Sequence, residues 1–239
     1  MTKFIALVSG KGGVGKTTST LNVGQALHNL GKEVVLVDGN IATPNLAISL
    51  GFINPEGTLN KFLRREKSLT EITYLHESGL SIIPCSPSYI EFKNTDLQKM
   101  HKIFERLDDT ASYVLIDAPS GLGQDVQQIL KHTDEALIVV NPTMSSVIDA
   151  LKTIQMAKEN DNIISGIILN RTNKGRHELS SAEVEQLLGY QILAKIGECR
   201  KIRKAAHRKI PLNYLYPRSS SAKQFTNVAR HLALDYHKK

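Results

Sequence analysis

The spacing Gly10-x-x-x-x-Gly15-Lys16-Thr17 is the feature that most limits what this chain can become. It follows directly on an apolar run at residues 4–8, which reads as a strand, and leads into apolar residues at helical spacing over 17–30. Glycines at 12, 13 and 15 let successive backbone N–H groups turn inward, because a residue without Cβ takes positive φ freely. Inward-turned amides at the start of a helix bind anions, so Gly10, Lys11, Gly12, Gly13, Val14, Gly15, Lys16, Thr17 and Thr18 read as a phosphate-binding loop. In that reading Lys16 reaches the terminal phosphates of a nucleoside triphosphate, and the Thr17 hydroxyl holds Mg²⁺. Lys11 lies outside the plain pattern. It can fold back on its own nucleotide or reach across to one in a partner subunit.

Seven strand-like runs, at residues 4–8, 34–37, 80–83, 113–116, 136–140, 163–169 and 192–196, alternate with helical spacing over 17–30, 96–107, 124–131, 145–158 and 182–188. Such alternation predicts βαβ units, and hence an α/β fold with a three-layer, doubly wound, mostly parallel sheet. No Pro/Gly/Ser-rich linker divides the 239 residues, so one domain over 1–239 is expected. The two cysteines, Cys85 and Cys199, form no Cys-x-x-Cys pair, which argues against an iron–sulfur cluster or a zinc site built from local ligands. The opening apolar run is too short for a signal-peptide core and no run approaches 18 apolar residues, so a cytoplasmic protein is expected.

Ligands in open α/β sheets bind beyond the carboxyl ends of the strands, which directs attention to the residues there. Asp38 ends the second run, where a carboxylate can reach Mg²⁺ through water or hold an attacking water, and Asn40 projects to the same side two residues on. Asp38-Gly39-Asn40 is equally good turn chemistry. Asp117 ends the run Tyr113-Val114-Leu115-Ile116, the arrangement that holds a metal-bound water in P-loop enzymes. Gly121 and Gly123 let the following loop swing, and an amide there can sense a γ-phosphate. Later strand exits give Asn141-Pro142 and Asn170-Arg171; an asparagine amide suits the paired edge of adenine, and Arg171 can stack or contact ribose.

Charge is uneven. Between residues 195 and 239, twelve Lys/Arg face only Glu198 and Asp235, a local excess of +10 in a chain of net +7, which leaves the remainder at −3. Two readings stand: a polyanionic partner such as DNA or an anionic membrane, or a solvated face that also attracts nucleotide. The densest part, residues 199–209, contains no aromatic for base stacking. The final stretch, 219–236, carries Phe225, Val228, Ala229, Leu232 and Tyr236 on one stripe, more in keeping with a core-packing helix than a membrane anchor.

Together, Lys11 beside Lys16, Asp38, and Asp117-Ala118-Pro119-Ser120-Gly121-Leu122 resemble the deviant Walker-A ATPases of the MinD/ParA type, nearest to the archaeal MinD-like proteins. The likeness runs nearly end to end, through Asn141-Pro142, Ile168-Leu169-Asn170-Arg171 and residues 196–211. It implies a P-loop NTPase of the SIMIBI class, with ATP and Mg²⁺ held between two subunits of a homodimer. On this likeness Lys11 reaches the partner's phosphates, Thr17 binds the metal, Asp117 orients the metal's water, Asn170 contacts adenine and Glu198 belongs to the loop covering it. Three departures from the pattern stand out. Asn40 replaces the aspartate taken to orient the attacking water, so slow turnover is expected; Gly197 stands where proline is usual; and with Tyr236-His237-Lys238-Lys239 last in the sequence, a membrane-targeting helix of the bacterial type is not expected. Any recruitment to a membrane is therefore expected to go through a partner or the basic end.

The resemblance implies an ATP-driven switch for intracellular positioning, at a division site, a pole or a surface structure, with an activator or cargo protein as partner. A ParA-like ATPase that binds DNA nonspecifically and a nucleotide-binding regulator with negligible catalysis are the alternatives. The stretches 51–70 and 96–107 are the candidates for partner specificity.

Overall fold

The near-continuous apolar runs give the central strands two faces to bury, and the chain covers both by winding helices onto either side. The computed structural model describes residues 2–173, 175 and 178–234. The strands are β1 (Lys3–Ser9), β2 (Val34–Asp38), β3 (Tyr74–Leu75), β4 (Ser81–Ile83), β5 (Tyr113–Ser120), β6 (Glu135–Val140), β7 (Ile163–Thr172) and β8 (Ile192–Gly197). They form one sheet in the order β3-β4-β2-β5-β1-β6-β7-β8, parallel throughout except for the β3–β4 pair. Phe4, Ala6 and Val8 of β1 enter one core with the helices Gln124–Leu130 and Met144–Glu159, through Val126, Ile129, Val147 and Ile154. Ile5 and Leu7 enter the other, with Leu21, Leu27, Phe225 and Leu232 from the helices Lys16–Asn29 and Ser220–Ala233. The result is the expected three-layer, doubly wound architecture.

Several boundaries differ from the sequence reading, each for a local reason. The helical spacing over 96–107 resolves into a 3-10 turn, Leu97–Met100, started by the Asp96 carboxylate accepting from the Gln98 amide at 3.0 Å, followed by the α-helix His101–Leu107. β5 continues past Ile116 to Ser120, because Asp117 still pairs in register with Asp38 on one side and Leu7 on the other. The stretch 51–70 contains the helix Leu59–Leu63 and the start of Leu69–Ile72, each too short to show a period. In the final helix Phe225, Val228, Ala229 and Leu232 are all buried, as a core helix requires; Tyr236 lies outside the described residues. No helix among the described residues is long and apolar enough to cross a membrane.

The order places β1 at the centre, with the chain leaving its carboxyl end toward β2 on one side and β6 lying on the other. That reversal opens the crevice in which doubly wound folds bind ligands. Phe225 ties the C-terminal helix to this frame with none of its surface exposed. Phe225→Ala is expected to cost about 3–5 kcal/mol, read as a lower urea midpoint at unchanged slope.

Candidate functional site

From the end of β1, residues 10–15 turn the chain into the helix Lys16–Asn29. Gly13 and Gly15 hold φ at 75° and 104°, values that residues with side chains rarely adopt. Gly15 is doubly constrained, since a Cβ there would strike the Asn170 amide nitrogen, while Gly10 lies against the backbone of Asp149. Val14 is buried and pins the loop into the core, and Gly12 and Gly13 remain exposed. The helix begins on Gly15 with no side-chain cap and no acid in its first turn. Its first N–H groups and the positive end of its dipole are thereby left for an anion.

Lys16 is 7% exposed, and its ammonium donates to Ser9 Oγ at 2.8 Å and Ser120 Oγ at 2.5 Å. Ser9 and Ser120 are register partners on β1 and β5. Burial pushes the Lys16 pKa down, and the nearby Asp117 charge opposes that shift. Thr17 Oγ1 donates to Asp117 Oδ2 at 2.6 Å, and Thr20 Oγ1 approaches Oδ1 at 3.4 Å. Asp117 and Asp38 stand opposite one another on β5 and β2, both buried. Burial raises both carboxyls above their usual range; the Thr17 hydrogen bond and Lys16 restrain Asp117, whereas the Asp117 charge pushes Asp38 further up. Asp38 is held by the amides of Asn40 at 3.1 Å and of Asn45 and Leu46 at 3.0 Å. An oxygen-only set of one hydroxyl and two buried carboxyls beside an anion cradle has the chemistry that Mg²⁺ with phosphate requires.

Two sequence candidates, Asn40 and Gly121, are engaged by hydrogen bonds of their own surroundings. Asn40 spends its amide on its own loop: Nδ2 donates to Thr43 O at 2.8 Å, and Oδ1 accepts from the Thr43 amide at 3.1 Å. Its turn chemistry thus prevails over a free water-facing amide. The Gly121 amide donates to Ser9 O at 3.0 Å, drawn there by the register shift between β1 and β5, so it is not free to face a phosphate. Lys11 lies outside the cradle altogether, with Nζ 3.2 Å from Ser145 Oγ at an exposed position.

On the far side of Gly15 a cavity of about 390 Å³ brings together Thr18, Asn170, Arg171 and Glu198. Asn170 is buried and donates from Nδ2 to Val14 O at 2.6 Å, joining the end of β7 to the loop. Asn141 supports it by donating to Asn170 O at 2.9 Å. Arg171 is held at φ 57°. The helix Arg200–His207 closes the cavity with Cys199, Ile202, Arg203 and Ala206, while Ala205 enters the core. The basic run is therefore not a uniformly solvated rod. Ser9, Ser120, Thr20 and Arg203 had no individual signal in the sequence, because each acquires its place only from strand register or helix rotation.

Residues 5–212 match the family model described as the CobQ/CobB/MinD/ParA nucleotide-binding domain. An ATP-binding protein of Methanocaldococcus jannaschii is 33% identical over 95% of this chain and 86% of its own length. Among solved structures, the cell division ATPase MinD of Pyrococcus furiosus superposes with a TM-score of 0.92 at 31% identity, covering 97% of this chain and 98% of that one. The septum site-determining protein MinD of Pyrococcus horikoshii, solved with Mg-ADP, gives 0.93 at 30% identity, with 98% and 97% covered.

The fit between Gly15 and Asn170 yields a direct check. Gly15→Ala is expected to weaken nucleoside triphosphate binding by at least about tenfold in calorimetry, because the loop and the Asn170 amide cannot both keep their places. Gly13→Ala, which meets nothing within 4 Å, is expected to cost less. Equal effects would detach Asn170 from the site.

Proposed function

The chain belongs to the MinD/ParA family of nucleotide-binding proteins, and from that premise we propose that it is a Mg²⁺-dependent ATPase switch that dimerises around ATP to position a partner inside the cell. The observation that carries the reading is the division between two lysines. Lys16 is buried in the cradle between two serines, whereas Lys11, five residues earlier, points out to solvent beside Ser145. A lysine in that place is poised for phosphates brought by a second copy. Solved relatives that are cell division proteins, one of them with Mg-ADP, support the same assignment.

Within one subunit the amides of residues 12–18 and Lys16 would hold the phosphates, Thr17 and Asp117 the metal and its water, and Asn170, Arg171 and Glu198 the nucleoside. Bound Mg²⁺ supplies charge neutralisation between the phosphates. Asp38 fixes the loop 39–46 through three amides and stands next to Asp117, where it couples that loop to the metal side of the site. Asn40 must release Thr43 before its amide can orient a water, and slow turnover is the expected consequence. Nonspecific DNA binding in the manner of ParA is a second reading, favoured by Arg200, Lys201, Lys204, His207 and Arg208, all exposed on one helix segment. DNA binding that needs ATP and falls steeply with salt would select it.

Lys11→Ala is expected to bind ATP through the intact cradle yet fail to dimerise, seen by light scattering with a non-hydrolysable analogue as a mass that does not double. Normal ATP-dependent dimerisation by this variant would refute the two-subunit reading. In Asn40→Asp the donation to Thr43 O is lost while the carboxylate still accepts from the Thr43 amide, which leaves its second oxygen for a water. Its steady-state ATPase rate is expected to rise severalfold, and an unchanged or lower rate would remove Asn40 from the mechanism.

A further inference from the structure

The stretches 51–70 and 96–107, separate in sequence, meet in a groove that shares no lining residue with the nucleotide site. The helices Leu59–Leu63 and Leu69–Ile72 and the helix His101–Leu107 enclose a space of about 940 Å³. Half-buried Phe62 and Leu69 make an apolar floor. Arg65, Lys102 and Arg106 rim it, and none of the three forms an ion pair among the described residues. Two of the acids along the wall are already engaged: Glu66 with Arg64 at 2.7 Å and Glu71 with Lys67 at 2.9 Å. Glu105 remains, between Lys102 and Arg106 on one helix.

Arg65 supplies an independent observation. The helix Leu59–Leu63 ends with the Arg65 amide donating to Phe62 O and the Glu66 amide to Lys61 O, both at 2.9 Å, and Arg65 takes φ 65°. Glycine is the strain-free residue for that position in a helix end of this type. That conformation leaves the Arg65 side chain at the rim of the groove. Arg171, the other arginine at positive φ, lines the nucleotide cavity.

We propose that this groove docks an acidic, amphipathic peptide segment of a partner protein. Carboxylates spaced along such a segment meet Arg65, Lys102 and Arg106, where arginine offers paired donors to each carboxylate, and intervening apolar side chains lie on Phe62 and Leu69. A nucleic-acid backbone is a poorer match, because its unbroken phosphates would have to pass Glu105, whereas a peptide can place an apolar side chain there. Docking here leaves the nucleotide site open, so the segment can stay bound through a nucleotide cycle.

Selection of short random peptides on the full-length protein, with affinities then measured by fluorescence anisotropy, tests this. Enrichment of Asp/Glu alternating with Leu or Phe is expected, with affinity falling at least about tenfold in Arg65→Glu/Lys102→Glu while ATP affinity is unchanged. Arg65→Gly relieves the backbone strain and removes only the side chain; it is expected to fold at least as stably and still to bind the peptides severalfold more weakly. No acidic preference, or acidic peptides whose affinity neither variant alters, would overturn the proposal. So would a duplex oligonucleotide that binds more tightly than the peptides and is lost in the same variants, since it would assign the groove to nucleic acid.

Discussion

Taking an ammonium out of water costs several kcal/mol unless its surroundings replace the lost solvation. Lys16 meets that requirement with two hydroxyls, one from each of two neighbouring strands, and with the field of Asp117 behind them. Ser9 and Ser120 can serve only because β1 and β5 are paired in one register, and Asp117 is in place through the same pairing. The sheet order, the extension of β5 to Ser120 and the turn at residues 10–15 thus answer to a single demand. Asp38 extends it, since its pairing with Asp117 sets two buried carboxyls where a cation would relieve both.

A second dependence runs through Asn170. Its amide reaches from the end of β7 to the carbonyl of Val14 and occupies the space that a side chain at residue 15 would need. The phosphate cradle and the cavity beside it are therefore joined through Asn170. The helix Arg200–His207 lines that cavity on its Ile202, Arg203 and Ala206 side, while its other basic residues face solvent. The exposed basic surface and the cavity beside Gly15 thus share one helix.

The fold was readable where a segment is long and its pattern strict. Seven apolar runs became the seven parallel strands, because a strand buried on both faces must be apolar almost throughout. β3 escaped notice since two residues carry no period, and the helices Leu59–Leu63 and Leu69–Ile72 are single turns whose existence rests on their caps and on the core beneath them. Around the site, the glycines and Lys16 were legible because backbone torsion and phosphate chemistry restrict those positions to one or two residue types. Asn40 was not, since an asparagine two residues beyond a strand serves a turn and a water equally well, and only the position of Thr43 decides between them.

What the sequence determined by itself was local: a loop that cradles phosphate, strands separated by helices, and a basic end. Tertiary structure decided which distant residues meet. It brought Ser120 to Lys16, Asn170 to Val14 and Lys102 toward Arg65, and it turned Lys11 outward and set Ile202, Arg203 and Ala206 of a basic helix along a cavity. The physical reason is that torsional preference and hydrophobic period act over a few neighbouring residues, whereas these contacts follow from strand register and helix rotation, which only the assembled sheet and its two cores fix.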